Sequence, residues 1–114
     1  MVHKSNDREH LVREGLRGGK GIIETDVMYK ADEMMGKATL FNRMVIKPGS
    51  SIGPHNHVQD AEIYYVLEGE VVVSDNGTEV VMTAGDALFT GGGEMHMVEN
   101  RSDKDARMLA IVIA

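Results

Sequence analysis

The sequence predicts an all-β domain, a sandwich or closed barrel of short strands, and three observations carry that expectation. From Ile22 onward, short runs rich in Val, Ile, Thr, Tyr and Met alternate with clusters of Gly, Pro, Asn and Asp. Thirteen glycines and two prolines in 114 residues supply turns for many short elements. No heptad, sustained 3.6-residue period or internal repeat competes with this pattern.

Taken in order, residues 1–21 read as an N-terminal arm and residues 22–114 as one domain. In "SNDREHLVREGLRGGKG", Ser5, Asn6 or Asp7 can cap a short helix carrying Leu11 and Val12. The glycines between Gly15 and Gly21 forbid its continuation. "GGKG" lacks the spacing and the trailing Ser or Thr of a phosphate loop, so it reads as a plain loop. "IIETDVMY" is a strand, "KADEMMGK" a turn or a single helical turn, and "ATLFNRMVIK" a longer strand closed by Pro48 and Gly49. In "EIYYVLEGEVVVSDNGTEVVMT", Asn76-Gly77 is a tight-turn signal between Val-rich arms. "AGDALFT", "HMVEN" and "ARMLAIVIA" complete the strand set.

Composition removes several function classes. The net charge of −6 argues against nucleic acid, whose phosphates need Lys and Arg to displace their counterions. With no cysteine, disulfides, thiolate nucleophiles and zinc-thiolate sites are excluded. The N-terminus has no signal-type apolar core, and "MLAIVIA" is far shorter than the roughly 20 residues of a membrane span. The expectation is a soluble, cytoplasmic protein with no nucleic-acid or membrane partner.

"PHNHVQDAEIYYVLEG" carries the chemistry. His55 and His57 are two apart, so on a strand both imidazoles share one face and can converge on one ion. Glu62 can join them if the chain turns between Val58 and Ala61, and a barrel can bring His96 opposite the pair. Taken alone, a His-x-His pair more commonly marks polarity on an exposed strand edge than a metal site.

The spacing resembles the two motifs of the cupin superfamily. Gly49, His55, His57, Glu62 and Gly69 fall at the positions of the first motif, and Gly85, Gly93, His96 and Asn100 at those of the second. Gly91 stands where the second motif usually has Pro, which bears on the rigidity of a turn and not on a ligand. The resemblance implies a double-stranded β-helix, or jelly-roll barrel, with a short N-terminal arm. It further implies one divalent transition metal ion (Fe, Mn, Ni, Co or Zn) on His55, His57, Glu62 and His96. Asn100 is expected to tie a turn through its side chain.

Four protein ligands leave places on a six-coordinate ion for substrate or water, as a catalytic or ligand-binding site requires. Alternation from Glu62 puts Tyr64 and Val66 inward and Tyr65 and Leu67 outward. Tyr64 is thus a candidate acid, base or hydrogen-bond donor, the alternative being that it only packs. Arg43 would meet an anionic substrate if its strand face were the inner one; an outward, solvated Arg43 is the favoured placement. The methionines are expected in the core, away from the metal.

Three functions compete: a metal-dependent enzyme of dioxygenase, isomerase, decarboxylase or lyase type, a small-molecule-binding protein without turnover, and a metal-free structural barrel. The enzyme is favoured, acting on a small organic molecule. Because "ARMLAIVIA" is apolar on both faces, a C2 homodimer is also expected, built from the N-terminal strand and outward apolar residues.

Overall fold

The computed structural model describes residues 1–114. Ten strands form two antiparallel sheets. The larger sheet contains β1 (His10–Glu14), β2 (Ile22–Tyr29), β3 (Ala38–Ile46), β5 (Ala61–Glu68), β8 (Ala87–Thr90) and β10 (Ala106–Ile113). The smaller contains β4 (Ser51–Asn56), β6 (Glu70–Asp75), β7 (Thr78–Thr83) and β9 (Met95–Glu99). Their spatial orders are β1-β2-β3-β10-β5-β8 and β4-β9-β6-β7. This is the jelly-roll arrangement that the sequence predicts. No helix is long and apolar enough to cross a membrane.

The core lies between the sheets, because alternate residues of each strand point inward. Ile23, Ile46, Val66 and Met108 come from the larger sheet and Val71, Val73 and Val98 from the smaller, all essentially without solvent exposure. β10 sits between β3 and β5, with Ala106, Met108, Ala110 and Val112 inward. Met44, Met82 and Met108 are core residues, whereas Met1 and Met35 are exposed, so the methionines divide between interior and surface.

The chain passes from one sheet to the other at Gly69, between β5 and β6. Its φ is +82°, and a Cβ there would stand 2.8 Å from the Asp105 carbonyl oxygen, so only glycine fits the corner. Asn76 and Gly77 both have positive φ (49° and 99°), which matches the twist of the β6–β7 hairpin they join. Asn100 is fully buried. Its amide donates to the carbonyls of Ile46 (2.8 Å) and Lys104 (2.7 Å), and its Oδ1 accepts from the Ser102 backbone and hydroxyl.

One expectation fails. No helix carries Leu11 and Val12; a 3-10 turn at Ser5–Asp7, without a side-chain cap, leads directly into β1. The physical reason is the edge of β2, whose backbone groups pair with β1 in the register Leu11↔Thr25 and Val12↔Glu24. A strand pairing outweighs the small intrinsic preference of a few residues for helix. The glycine-rich loop that follows contains a second 3-10 turn, Leu16–Gly18, and lies on β4.

Candidate metal centre and ligand cavity

β4 and β9 position the histidines. Ser51 and Ile52 pair with Glu99 and Val98, but His55 and Asn56 pair with His96 and Met95, so one extra residue is inserted at Gly53–Pro54. This bulge reverses the strand's alternation, and Ile52 and His55 both line the interior. His57 follows just beyond β4, held by backbone bonds to Glu94 and Gly93. Glu62 lies across the barrel on β5, opposite Thr90 of β8. Two sheets thus contribute to one cluster.

The four side chains meet closely. His57 Nε2 is 3.0 Å and His96 Nε2 2.9 Å from Glu62 Oε1, while His55 Nε2 is 3.6 Å from that oxygen and 2.9 Å from His96 Nε2. The donor atoms all lie within 4.8 Å of one another, and the group could hold a metal ion. Neighbouring ligands of an octahedral ion with bonds of ~2.1 Å stand ~3.0 Å apart, close to three of these separations.

Proton placement makes the fit specific. His55 Nδ1 lies 2.8 Å from the Gly53 carbonyl, which can only accept, so Nδ1 carries the proton and Nε2 of the neutral ring presents a lone pair. His57 Nδ1 likewise donates to Asp60 Oδ1 at 2.7 Å. His96 Nδ1 meets Thr90 Oγ1 at 2.9 Å. With Nδ1 protonated, the Nε2 lone pairs of His55 and His57 face the Glu62 oxygen, an arrangement that a cation or shared protons between the donor atoms must offset. The outward hydrogen bonds also fix each ring's orientation.

Electrostatics agree. Burial alone would raise the Glu62 carboxyl, but where protons rather than a cation fill the cluster, hydrogen bonds from His55 and His96 overcome it and hold the group down at about 2. Burial lowers the pKa of His96 and so favours its neutral, metal-binding form, against the opposing pull of Glu62. Tyr64 stacks on the His96 ring at 4.5 Å and 14°. Burial, reinforced by the Glu62 charge, pushes its phenol well above the ordinary range, so Tyr64 keeps its proton.

Beside the cluster a cavity of about 290 Å³ opens, walled by Leu16, Leu40, Met44 and Val112 and reached by Asn42, Tyr64, Arg13 and Arg17. Tyr64 and Val66 are buried and Tyr65 and Leu67 exposed, as the alternation predicts. Arg43 is on the outer face, paired with Asp26 at 2.9 Å, and takes no part in the cavity. Sequence reasoning missed Asp60, Thr90, Arg13 and Arg17. Asp60 stands three residues from His57, a spacing that could have revealed it, whereas the arginines lie in a segment that reads as an arm.

Comparisons with known proteins place these observations. Residues 42–112 match the family model described as "Cupin domain". An "Oxalate-binding protein" of Thermotoga maritima is 47% identical over 113 residues, covering 99% of this chain and 93% of the relative. A solved structure from Thermotoga maritima, described as a predicted oxalate decarboxylase, superposes with a TM-score of 0.95 at 43% identity, over 99% of this chain and 98% of that one. The polyketide cyclase RemF of Streptomyces resistomycificus, at 22% identity and TM-score 0.76 over 99% of this chain and 78% of its own, shares the fold.

Proposed function

Because this chain belongs to the cupin family, we propose that it holds one divalent transition metal ion on His55, His57, Glu62 and His96 and binds a small carboxylate anion, of the oxalate class, against that ion. The observation that carries this reading is the convergence of the three imidazole nitrogens and the Glu62 oxygen at the edge of a cavity with a positive mouth. The oxalate-binding relative supports the choice of ligand class.

A bound ion would supply Lewis acidity and open coordination positions. The chain's own residues do the rest. Gly53, Asp60 and Thr90 hold the rings in place, and the apolar wall of Leu40, Met44 and Val112 limits water. Asn42 and Tyr64 offer neutral hydrogen bonds to a ligand oxygen.

Turnover is a second reading, favoured by Tyr64. Apart from His55, His57 and Glu62, the cavity's titratable groups are Arg13, Arg17 and Tyr64, with no free carboxylate. An enzyme that splits a carbon–carbon bond must deliver a proton to the product, and Tyr64 is the cavity's one neutral acid. Titrating metal-loaded protein with oxalate, then assaying the mixture for formate and carbon dioxide, separates the readings. Saturable heat with oxalate intact supports binding alone. Product that disappears in Tyr64→Phe supports turnover, and no heat with metal-loaded protein contradicts the proposal.

We also propose a homodimer. The outer face of the larger sheet carries a cross-strand row, Phe41, Ile111, Ile63 and Phe89, beside Leu109 and Tyr65. Phe89 is 62% and Val12 61% exposed in the single chain. A second copy would cover this apolar row.

A further inference from the structure

We propose that Arg17 and Arg13 of the N-terminal arm form a second anchor, which grips the carboxylate distal to the metal and makes the site selective for dicarboxylates over monocarboxylates. The inference rests on the metal-anchored binding proposed above and adds the residues that set its specificity.

The arm is built onto the site. The Lys20 backbone N–H donates to Ser51 Oγ (3.0 Å) and that of Ile22 to Ser50 Oγ (2.9 Å), while the Ser51 N–H donates to the Lys20 carbonyl (2.9 Å). A Cβ on Gly53 would stand 2.1 Å from the Arg17 carbonyl oxygen, and one on Gly19 would stand 2.2 Å from that of Ser51. Arm and strand therefore touch backbone to backbone, two residues before His55. Arg17 itself has φ of 54°, a left-handed conformation that is uncommon for a residue with a side chain. Such strain persists where surrounding contacts enforce it and is concentrated at ligand sites.

The two guanidiniums have no partner within the protein. Arg43, Arg101 and Arg107 each lie within 3.3 Å of a carboxylate, whereas the exposed side chains of Arg13 and Arg17 make no hydrogen bond or ion pair. Both line the cavity that Glu62 and the histidines share, in a chain of net charge −6. The planar guanidinium fork matches a carboxylate bidentately. Because the arginines line the same cavity as His55, His57 and Glu62, one ligand could meet the cluster with one anionic group and a guanidinium with the other.

Calorimetric titration of Mn²⁺-loaded protein with oxalate, malonate and formate tests this, with metal content measured in the same samples. Relative to wild type, Arg13→Gln/Arg17→Gln protein is expected to keep its metal stoichiometry and its affinity for formate. It is expected to lose affinity for both dicarboxylates on the order of tenfold or more. Arg17→Lys, which keeps the charge and loses the fork, should fall between, and gives the answer if the double variant does not fold. Dicarboxylate affinities unchanged in either variant, or a formate affinity that falls equally, would overturn the second anchor while metal-anchored binding stands. If metal-loaded wild-type protein binds none of the three anions, the underlying reading fails and the anchor with it.

Discussion

At His57 the nitrogen facing away from the cluster donates to Asp60 at 2.7 Å, and this bond leaves the other nitrogen's lone pair aimed at Glu62. Asp60 is half exposed and contacts no other member of the cluster, so its influence runs through the ring it orients. Asp60→Ala is expected to weaken metal affinity by about 10–100-fold with little change in the melting temperature of metal-free protein. Competition against a chelator of known affinity measures this; an unchanged affinity would show that the ring is held in place without Asp60. That His55, His57, Glu62 and His96 cluster is legible from their spacing together with the resemblance it carries. The contacts orienting the rings are not, because Thr90 reaches His96 only after the sheets have folded together and the Gly53 carbonyl meets His55 only in the bulged β4.

The elements explain which parts of the sequence were readable. Strands that alternate around the core, such as β2 and β5, declare themselves through a period of two. β4 does not, because the bulge at Gly53–Pro54 shifts the period midway and puts Ile52 and His55 on one face. Residues 10–14 form a strand against the helical expectation because pairing with β2 sets their state, which no local pattern reveals. The contact between arm and β4 makes its own prediction. In Gly19→Ala the new methyl would meet the Ser51 carbonyl, so the arm must lift. We expect the variant to fold and keep its metal but to bind oxalate less tightly than wild type. It should also be cleaved faster within residues 1–21 by a protease. Cleavage and binding equal to wild type would mean that the arm accommodates the methyl without moving.

At the scale of the whole molecule, the cluster joins the two sheets, with three histidines following one and Glu62 on the other. A bound ion gains all four ligands only in the folded state, so it should raise stability by about 2.7 kcal/mol at a free concentration one hundred times Kd. For a domain of this size that is roughly a 10 °C rise in melting temperature, lost on chelation. The imidazoles must be neutral to bind, so the rise should fade below about pH 6. Glu62 stays ionised down to about 2, so its protonation should not contribute in that range. A metal-dependent rise that persists unchanged at pH 5 would argue against histidine ligation. The exposed row on the larger sheet belongs to this scale too. Light scattering at low micromolar concentration should give twice the 12.5 kDa chain mass, and a value near 12.5 kDa would reject the dimer.

The central claim is that His55, His57, Glu62 and His96 bind one ion together, and elemental analysis of protein stripped with a chelator and reloaded with Mn²⁺ tests it most directly. Wild-type protein should retain about one ion per chain after gel filtration, and His57→Ala, equally folded by circular dichroism, should retain little. Wild-type protein that emerges without metal, or a His57→Ala variant that keeps as much as wild type, would contradict it.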